Sequence, residues 1–486
     1  MGKQVTDYLL YRWRYIVGYG LIGLTIIGML LVAGLYIPGG LSQSEMNSVV
    51  TSDAVSFSLH SFDPNAVINL PYHLLQHAGL SLFGVSMISI KLPSLLLGLL
   101  SAFGMLILLR MWFRENVAVL TTILVITTGQ FLFVAQSGTA SIVYIFWSIW
   151  LLVGAMMVSR RAKLTGLWKI FLFATAALSL YTPLSLYILL ALISAVILHP
   201  HLRYLVRRLS KVKLLIAIFF ALILVAPLGY VIFRHPQIGL TLLGIPSEWP
   251  NLQENIIQLL QQYFDFISPS SGMLMTPIYG LGSMVLILLG IFRLVTTKYT
   301  ARSYIITAWI ILLLPVLSIN PNFVSVTFVP IMLLMAMGIS VLLTRWYRLF
   351  PRNPYARLAG LVPLIVLIGG MVLSGVDRYM YGYLYDPQTV NNFSKDLRLL
   401  NDQLADKTRG STAIVVTKNE SSFYAVVARH TTNLTIAAGP PPSTATTIVT
   451  HEAHATTPTI ATPYRIITDG TSHGSDRFYI YKTDAK

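Results

Sequence analysis

The sequence contains no cysteine. Disulfides and thiolate metal sites are therefore excluded. Any large exported part must be held by packing alone, which suits a bacterial or archaeal envelope better than a disulfide-using secretory pathway. Charge is also scarce: 11% of the 486 residues are Asp, Glu, Lys or Arg, against roughly 25% in soluble globular chains. That deficit excludes an ordinary cytoplasmic enzyme and a disordered chain. Acids are scarcer than bases, 18 against 34, giving a net charge of +16. On a soluble face such an excess would suit nucleic acid. Here the bases sit between long apolar runs and read as topology signals, so nucleic acid is no partner. Gly-rich phosphate loops are missing too, and with them any support for a nucleotide-driven mechanism.

What the sequence does have is apolar length, with 55% hydrophobic residues. A helix needs roughly 20 apolar residues to cross a bilayer. Eleven runs meet or approach that: 15–36, 85–109, 117–135, 141–158, 166–181, 184–199, 213–233, 274–292, 303–319, 323–343 and 358–375. The first is too long for a typical secretory signal, and Ile37-Pro38-Gly39-Gly40 is no cleavage site, so it reads as an uncleaved anchor. Every second connection is basic: Arg110 and Arg114; Arg160, Arg161 and Lys163; Arg203, Arg207 and Arg208; Arg293, Lys298 and Arg302; Arg345, Arg348 and Arg352. Lys3, Arg12 and Arg14 precede them all. This alternation predicts a multi-pass protein of the cell membrane with its N-terminus in the cytoplasm and its C-terminus outside.

Two outer loops, 37–84 and 234–273, and a tail, 376–486, follow from that topology, leaving 1–375 as the membrane domain. Of the acids, only Asp7 and Glu115 fall on the cytoplasmic side; Glu45, Asp53, Asp63, Glu248, Glu254 and Asp265 lie in the outer loops. Any chemistry faces outward. The tail reads as a small α/β domain. Residues 388–407 have helical spacing, Ala413–Val416, Tyr464–Ile467 and Phe478–Tyr481 read as strands, and the Pro/Thr/Ala-rich stretch 439–463 reads as loop. No internal repeat is present, which argues against transporters built from inverted halves.

The first outer loop carries the most information. Asp53 comes soon after the first run, followed by His60, Asp63-Pro64 and Asn69-Leu70-Pro71-Tyr72-His73-Leu74-Leu75. An amphipathic stretch over 66–83 ends at Phe83-Gly84, and Lys91-Leu92-Pro93-Ser94 opens the second run. A carboxylate beside the membrane can serve as general base for an incoming hydroxyl or amine. An interfacial stretch next to it can frame a groove for a lipid-borne substrate. Plainer readings stand beside these: a helix cap for Asp53, a turn with Pro64 for Asp63, interfacial packing for His60, His73 and His77, snorkelling for Lys91, and a helix-end anchor for Arg234-His235. His451-Glu452-Ala453-His454 lacks the spacing of a zincin motif, which needs two His four apart on a helix.

Taken in order, Asp53, Asn69–Leu75, Leu82-Phe83-Gly84 and Lys91–Gly98 resemble the N-terminal signature of the GT-C membrane glycosyltransferases. Within that superfamily the chain is most similar to the protein O-mannosyltransferase and aminoarabinose-transferase group, glycosyltransferase family 39. The resemblance is clear over residues 1–110 and absent in the tail. It implies a GT-C-like fold for the bundle of about eleven spans, while the small extracytoplasmic α/β domain is read from the tail's own pattern. The implied activity is transfer of a hexose or pentose from a polyprenyl-phosphate-linked donor to a protein, lipid or glycan acceptor outside the membrane. Carried over, Asp53 is the base, with Asp63 a second acid. Lys91 stands at the position of an Arg that commonly precedes Leu-Pro-Ser, and the donor phosphate meets Lys91 or Arg234, the latter read from the second loop itself. Tyr72, His60, His73, His235 and Gln136 remain candidates for substrate or metal, a divalent cation being the one cofactor left open. Two departures stand out: relatives carry an Arg and a second acid where this chain has Gln136-Ser137-Gly138-Thr139, and Asn-Leu-Pro replaces their Pro-Pro. A second carboxylate must then come from elsewhere or be dispensable. The alternatives are a transporter or flippase of lipid-linked intermediates and a non-catalytic envelope assembly protein.

Overall fold

The structure is a computed structural model. It describes residues 9–37, 39–55, 64–160, 164–266, 275–297, 299–349, 354–390, 392–394, 396–404, 412–431, 434–437, 446–456, 463–468 and 477–481. Helix α1 (Leu9–Leu35) leads into α2 (Gln43–Asp53), α3 (Leu70–Phe83), α4 (Met87–Trp112), α5 (Glu115–Ile126), α6 (Gly129–Gln136) and α7 (Ser141–Ser159). Then come α8 (Thr165–Ser179), α9 (Ser185–Leu198), α10 (Pro200–Arg207), α11 (Lys211–Arg234), α12 (Pro236–Leu242) and α13 (Leu252–Phe264). Helices α14 (Leu281–Thr296), α15 (Ala301–Ile319), α16 (Phe328–Leu349) and α17 (Pro354–Tyr385) complete the apolar bundle.

Among the described residues, seven helices are long and apolar enough to cross a membrane alone, and up to nine if two bent pairs each count as one span. The remaining two of the eleven runs fall on α8 and α14, which are apolar but shorter. One bent pair is α5–α6, where the expected run 117–135 turns by 64°. The local cause is Thr127-Thr128. Both hydroxyls donate back to carbonyls of the preceding turn, on Leu124 and Val125, and Thr128 Oγ1 accepts the Phe131 N–H as an N-cap. Such side chains offer the backbone an alternative to continuing the helix. The other pair, α9–α10, turns by 97° at Pro200, which starts α10.

Helices α14 and α16 touch through glycines. A Cβ at Gly290 would collide with the Leu334 backbone and one at Gly338 with the Leu286 backbone, so small residues set this close approach. At one end of the bundle three of the basic connections meet: Arg160 donates to Met111 O and Arg302 to Trp112 O. The opposite end carries α2, α3 and the tail. Helix α17 runs on to Tyr385, past residue 375 where the sequence pattern placed the end of the last span.

The tail contains α18 (Pro387–Val390), α19 (Asp396–Leu404), β1 (Thr412–Val415), α20 (Lys418–His430), β2 (Leu434–Ala437), β3 (Thr446–Val449), α21 (His451–Thr456), β4 (Arg465–Thr468) and β5 (Arg477–Tyr481). The sheet order is β2-β1-β3-β5-β4, with β1 parallel to β2 and β3 and β5 antiparallel to β3 and β4. The α/β expectation holds, but 439–463 is not all loop. β3 and α21 lie within it, because Thr446-Thr447-Ile448-Val449 is a β-branched run hidden inside a Pro/Thr/Ala-rich composition. The tail does not stand apart. Leu41, Met46 and Val49 around α2, Leu80 of α3 and Ile90 of α4 share one buried cluster with Leu397, Phe423 and Val427 of the tail.

Candidate functional site

Helix α2 starts at a reciprocal cap. The Ser42 hydroxyl accepts the Glu45 N–H at 3.3 Å and Glu45 Oε2 accepts the Ser42 N–H at 2.7 Å. This Ser-x-x-Glu box is a local helix-start signal. Its Glu normally lies on a surface, but here the Glu45 side chain is 0% exposed. Its other oxygen, Oε1, accepts the Gly138 N–H at 2.6 Å and faces Lys91 Nζ at 3.7 Å. Lys91, also fully enclosed, donates to Gln136 Oε1 at 2.6 Å. Gly138 is tight against Ile90, where any Cβ would come within 2.7 Å of its side chain. Glu45 of the first loop thus places a carboxylate against the Gln136–Thr139 turn.

A second tier of polar groups surrounds this pair. Gln76 Nε2 donates to Ile90 O and Gly138 O, while its Oε1 accepts the hydroxyls of Ser48 and Ser52. All four bonds of a buried amide are made. Ser52 Oγ also lies 2.7 Å from His73 Nδ1. Burial lowers the His73 pKa from 6.5 to about 4, so the ring is neutral. With the Ser52 proton given to Gln76, we assign the ring proton to Nδ1. Tyr72 meets Ser94 Oγ at 2.8 Å, and Ser94 in turn donates to Thr139 O. Burial chiefly, and the Glu45 charge additionally, raise the Tyr72 pKa against the Ser94 bond, so this phenol stays protonated.

Asp53 closes the other end of α2, roughly 12 Å along the helix from Glu45. Its side chain is 7% exposed, and its partners come from the end of α20 in the tail. His430 Nε2 lies 2.9 Å from Oδ1, and Arg429 Nη2 approaches Oδ2 at 2.6 Å as an ion pair without the alignment of a hydrogen bond. A carboxylate at a helix C-terminus opposes the helix dipole, and the Arg429 guanidinium beside it offsets that.

The other candidates are dispersed. Lys91 and Gln136 are in direct contact, and Tyr72 and His73 belong to the same buried region. Lys91 is turned inward onto Glu45, so the expectation that it meets a donor phosphate finds no open surface in this structure. Arg234 ends α11, exposed, with its guanidinium 5.5 Å from the Tyr230 ring, and exposed His235 follows it. Neither is brought into contact with Asp53 or Lys91. His60 and Asp63 lie outside the described residues. No group of three or more His, Cys, Asp or Glu arranged to hold a metal occurs among the described residues. In the tail, His454 stacks on Tyr479 and meets Tyr481 OH. Sequence reasoning passed over Glu45, although the Ser-x-x-Glu box marked it. It also passed over Gln76, Ser52, Arg429 and His430, for which no local signal exists.

No family model matches the sequence, and a comparison with curated proteins finds no match. Solved structures do match. ArnT from Cupriavidus metallidurans bound to undecaprenyl phosphate superposes with a TM-score of 0.55 at 13% identity, over 96% of this chain and 98% of that one. Archaeal oligosaccharyltransferase AglB from Archaeoglobus fulgidus, tethered with an acceptor peptide, gives 0.51 at 13% identity, over 86% of this chain and 64% of that one. Both neighbours are GT-C glycosyltransferases. The chain therefore has the GT-C fold, a helical bundle with a small C-terminal sheet domain.

Proposed function

We propose that this GT-C-fold chain is a membrane glycosyltransferase. It moves a sugar from a polyprenyl-phosphate-linked donor to a hydroxyl- or amine-bearing acceptor (protein, lipid or glycan) on the outer face. The observation that carries this reading is the end-to-end likeness to ArnT, a structure bound to undecaprenyl phosphate.

In this reading Asp53 is the base. It is the carboxylate of α2 whose partners are side chains from the surface of another domain, and Arg429, 63% exposed, can swing into solvent and yield Oδ2 to an acceptor. The acceptor hydroxyl gives its proton to Asp53 as its oxygen bonds to the anomeric carbon, and the bond from that carbon to the phosphate oxygen breaks. The phosphate leaves as an anion and needs no acid, so one base suffices, with cations stabilising the developing charge. Glu45 and Lys91 act as framework, holding α2 against α4 and the α6–α7 turn.

The test is turnover by the purified, reconstituted chain with a panel of polyprenyl-phosphate sugars and acceptors, native against Asp53→Asn. Transfer by the native protein and its loss in the variant supports the reading. Transfer by neither, alongside movement of the intact lipid-linked sugar between leaflets, replaces it with a flippase.

A further inference from the structure

The end of the bundle opposite α2 and the tail holds a lysine that the proposed chemistry does not use. Lys169, in the second turn of α8, is 3% exposed. Its ammonium makes no hydrogen bond or ion pair among the described residues. Enclosed charges are otherwise found where a partner neutralises them. Here the charge that Lys169 feels is a like one, from Lys213 of α11, the helix that packs along α8. Among the described residues the acid at this end is Glu115, and it is taken by Arg110 and the Tyr19 hydroxyl.

Local geometry brings the two lysines to one place. A helical side chain leans toward the N-terminus of its helix, so the Lys169 stem runs back toward Gly166, three residues earlier on the same face. The Lys213 stem crosses the same spot, for a Cβ at Gly166 would lie 3.8 Å from Lys213 Cδ. Gly166 leaves room for that passage. Lys211 and Lys213 stand in the first turn of α11, where the helix dipole already adds positive charge. Neither α8 nor α11 has a side-chain cap at its start. The border of this cationic spot is apolar. Leu164 and Leu167 on one side and Val212, Leu215 and Phe219 on the other are exposed, and α11 is among the least enclosed of the spans. Such a border suits acyl chains better than a free anion in water.

We propose that the seam between α8 and α11 binds the head-group phosphate of an anionic glycerophospholipid. The phosphate accepts hydrogen bonds from Lys169 and Lys213 and supplies the countercharge that neither has among the described residues. Its acyl chains lie along the exposed apolar side of α11. The site is at the other end of the bundle from Asp53 and does not rest on the glycosyltransferase reading.

The test uses the full chain in phosphatidylcholine nanodiscs with a rising fraction of phosphatidylglycerol, read as melting temperature. Phosphatidylglycerol is expected to stabilise the native protein. Lys169→Met keeps the apolar stem and removes the charge. In phosphatidylcholine alone it should melt at or above the native temperature, because an unpaired enclosed charge is gone. Its apparent affinity for phosphatidylglycerol should fall by about tenfold to a hundredfold, the loss of a charge-assisted hydrogen bond. Lys213→Gln, whose side chain is exposed, should lose a similar factor without disturbing the packing. Arg348→Gln, an exposed cation at the end of α16, should respond as the native protein does, which separates a site from general attraction to an anionic surface. A native response in both Lys169→Met and Lys213→Gln overturns the proposal, and so does an equal loss in Arg348→Gln. Equal stabilisation by inorganic phosphate in phosphatidylcholine nanodiscs overturns the lipid. Equal stabilisation by undecaprenyl phosphate overturns the glycerophospholipid class.

Discussion

The two ends of α2 carry one carboxylate each, and the protein treats them in opposite ways. Glu45 is sealed among backbone N–H groups, a serine hydroxyl and a lysine, all of them as buried as itself. Asp53 is held by two side chains of another domain, one of them mostly in solvent. A buried ion pair costs several kcal/mol in desolvation per ion and persists only when further hydrogen bonds complete it. A pair with one partner mostly in solvent is held less firmly. The first arrangement builds a frame, and the second is the one that the proposed base requires to open.

The sharpest way to break this contrast is Asp53→Asn. As a base, Asp53 should contribute about 10²–10⁴-fold, so turnover falls by that range while the melting temperature stays near native. Near-native turnover removes Asp53 from the chemistry. The next effect in size belongs to the frame. Lys91→Met strands a buried carboxylate and should cost about 3–5 kcal/mol of stability, visible in melting of the detergent-solubilised protein, whereas Glu45→Gln with Lys91→Met together should cost far less than the two singles summed. Additive losses would mean that the pair is not coupled.

His73 sharpens the comparison through pH. Its folded pKa of about 4 lies below the 6.5 of the free side chain, so between those values the unfolded chain binds the extra proton. Stability from this residue is therefore complete above pH 6.5 and is lost as pH falls toward 4, by ~3 kcal/mol in all. Melting temperatures from pH 7 to 4.5 should decline in the native protein and decline less in His73→Gln; parallel curves would place the acid sensitivity elsewhere. The smallest effect is expected at the exposed partner. Arg429→Ala should cost less than Lys91→Met, because Arg429 is mostly in solvent and His430 stays on Oδ1, and that loss should shrink in high salt. A loss as large as that of Lys91→Met would make the two ends of α2 equivalent and erase the distinction.

Several of these features are legible in the amino-acid sequence. The Ser42-x-x-Glu45 box is local and announces the start of α2. The apolar runs and their basic connections mark the bundle, and the aromatic and β-branched run Phe478–Tyr481 marks a buried strand. Breaks are harder to read. Thr127-Thr128 sits in a run apolar enough to cross a membrane, and only the return of both hydroxyls to the preceding turn shows that the helix stops there.

What the sequence by itself determined is the class of protein, because composition, apolar length and charge alternation act through the solvent each segment prefers and need no knowledge of neighbours. What only the tertiary structure decided is which charges meet. Glu45 finds the Gly138 turn across 93 positions and Asp53 finds His430 across 377. An acid in a loop carries no mark of whether it will be enclosed with a lysine or left to a passing arginine. That outcome depends on burial, and burial is a property of the packed whole.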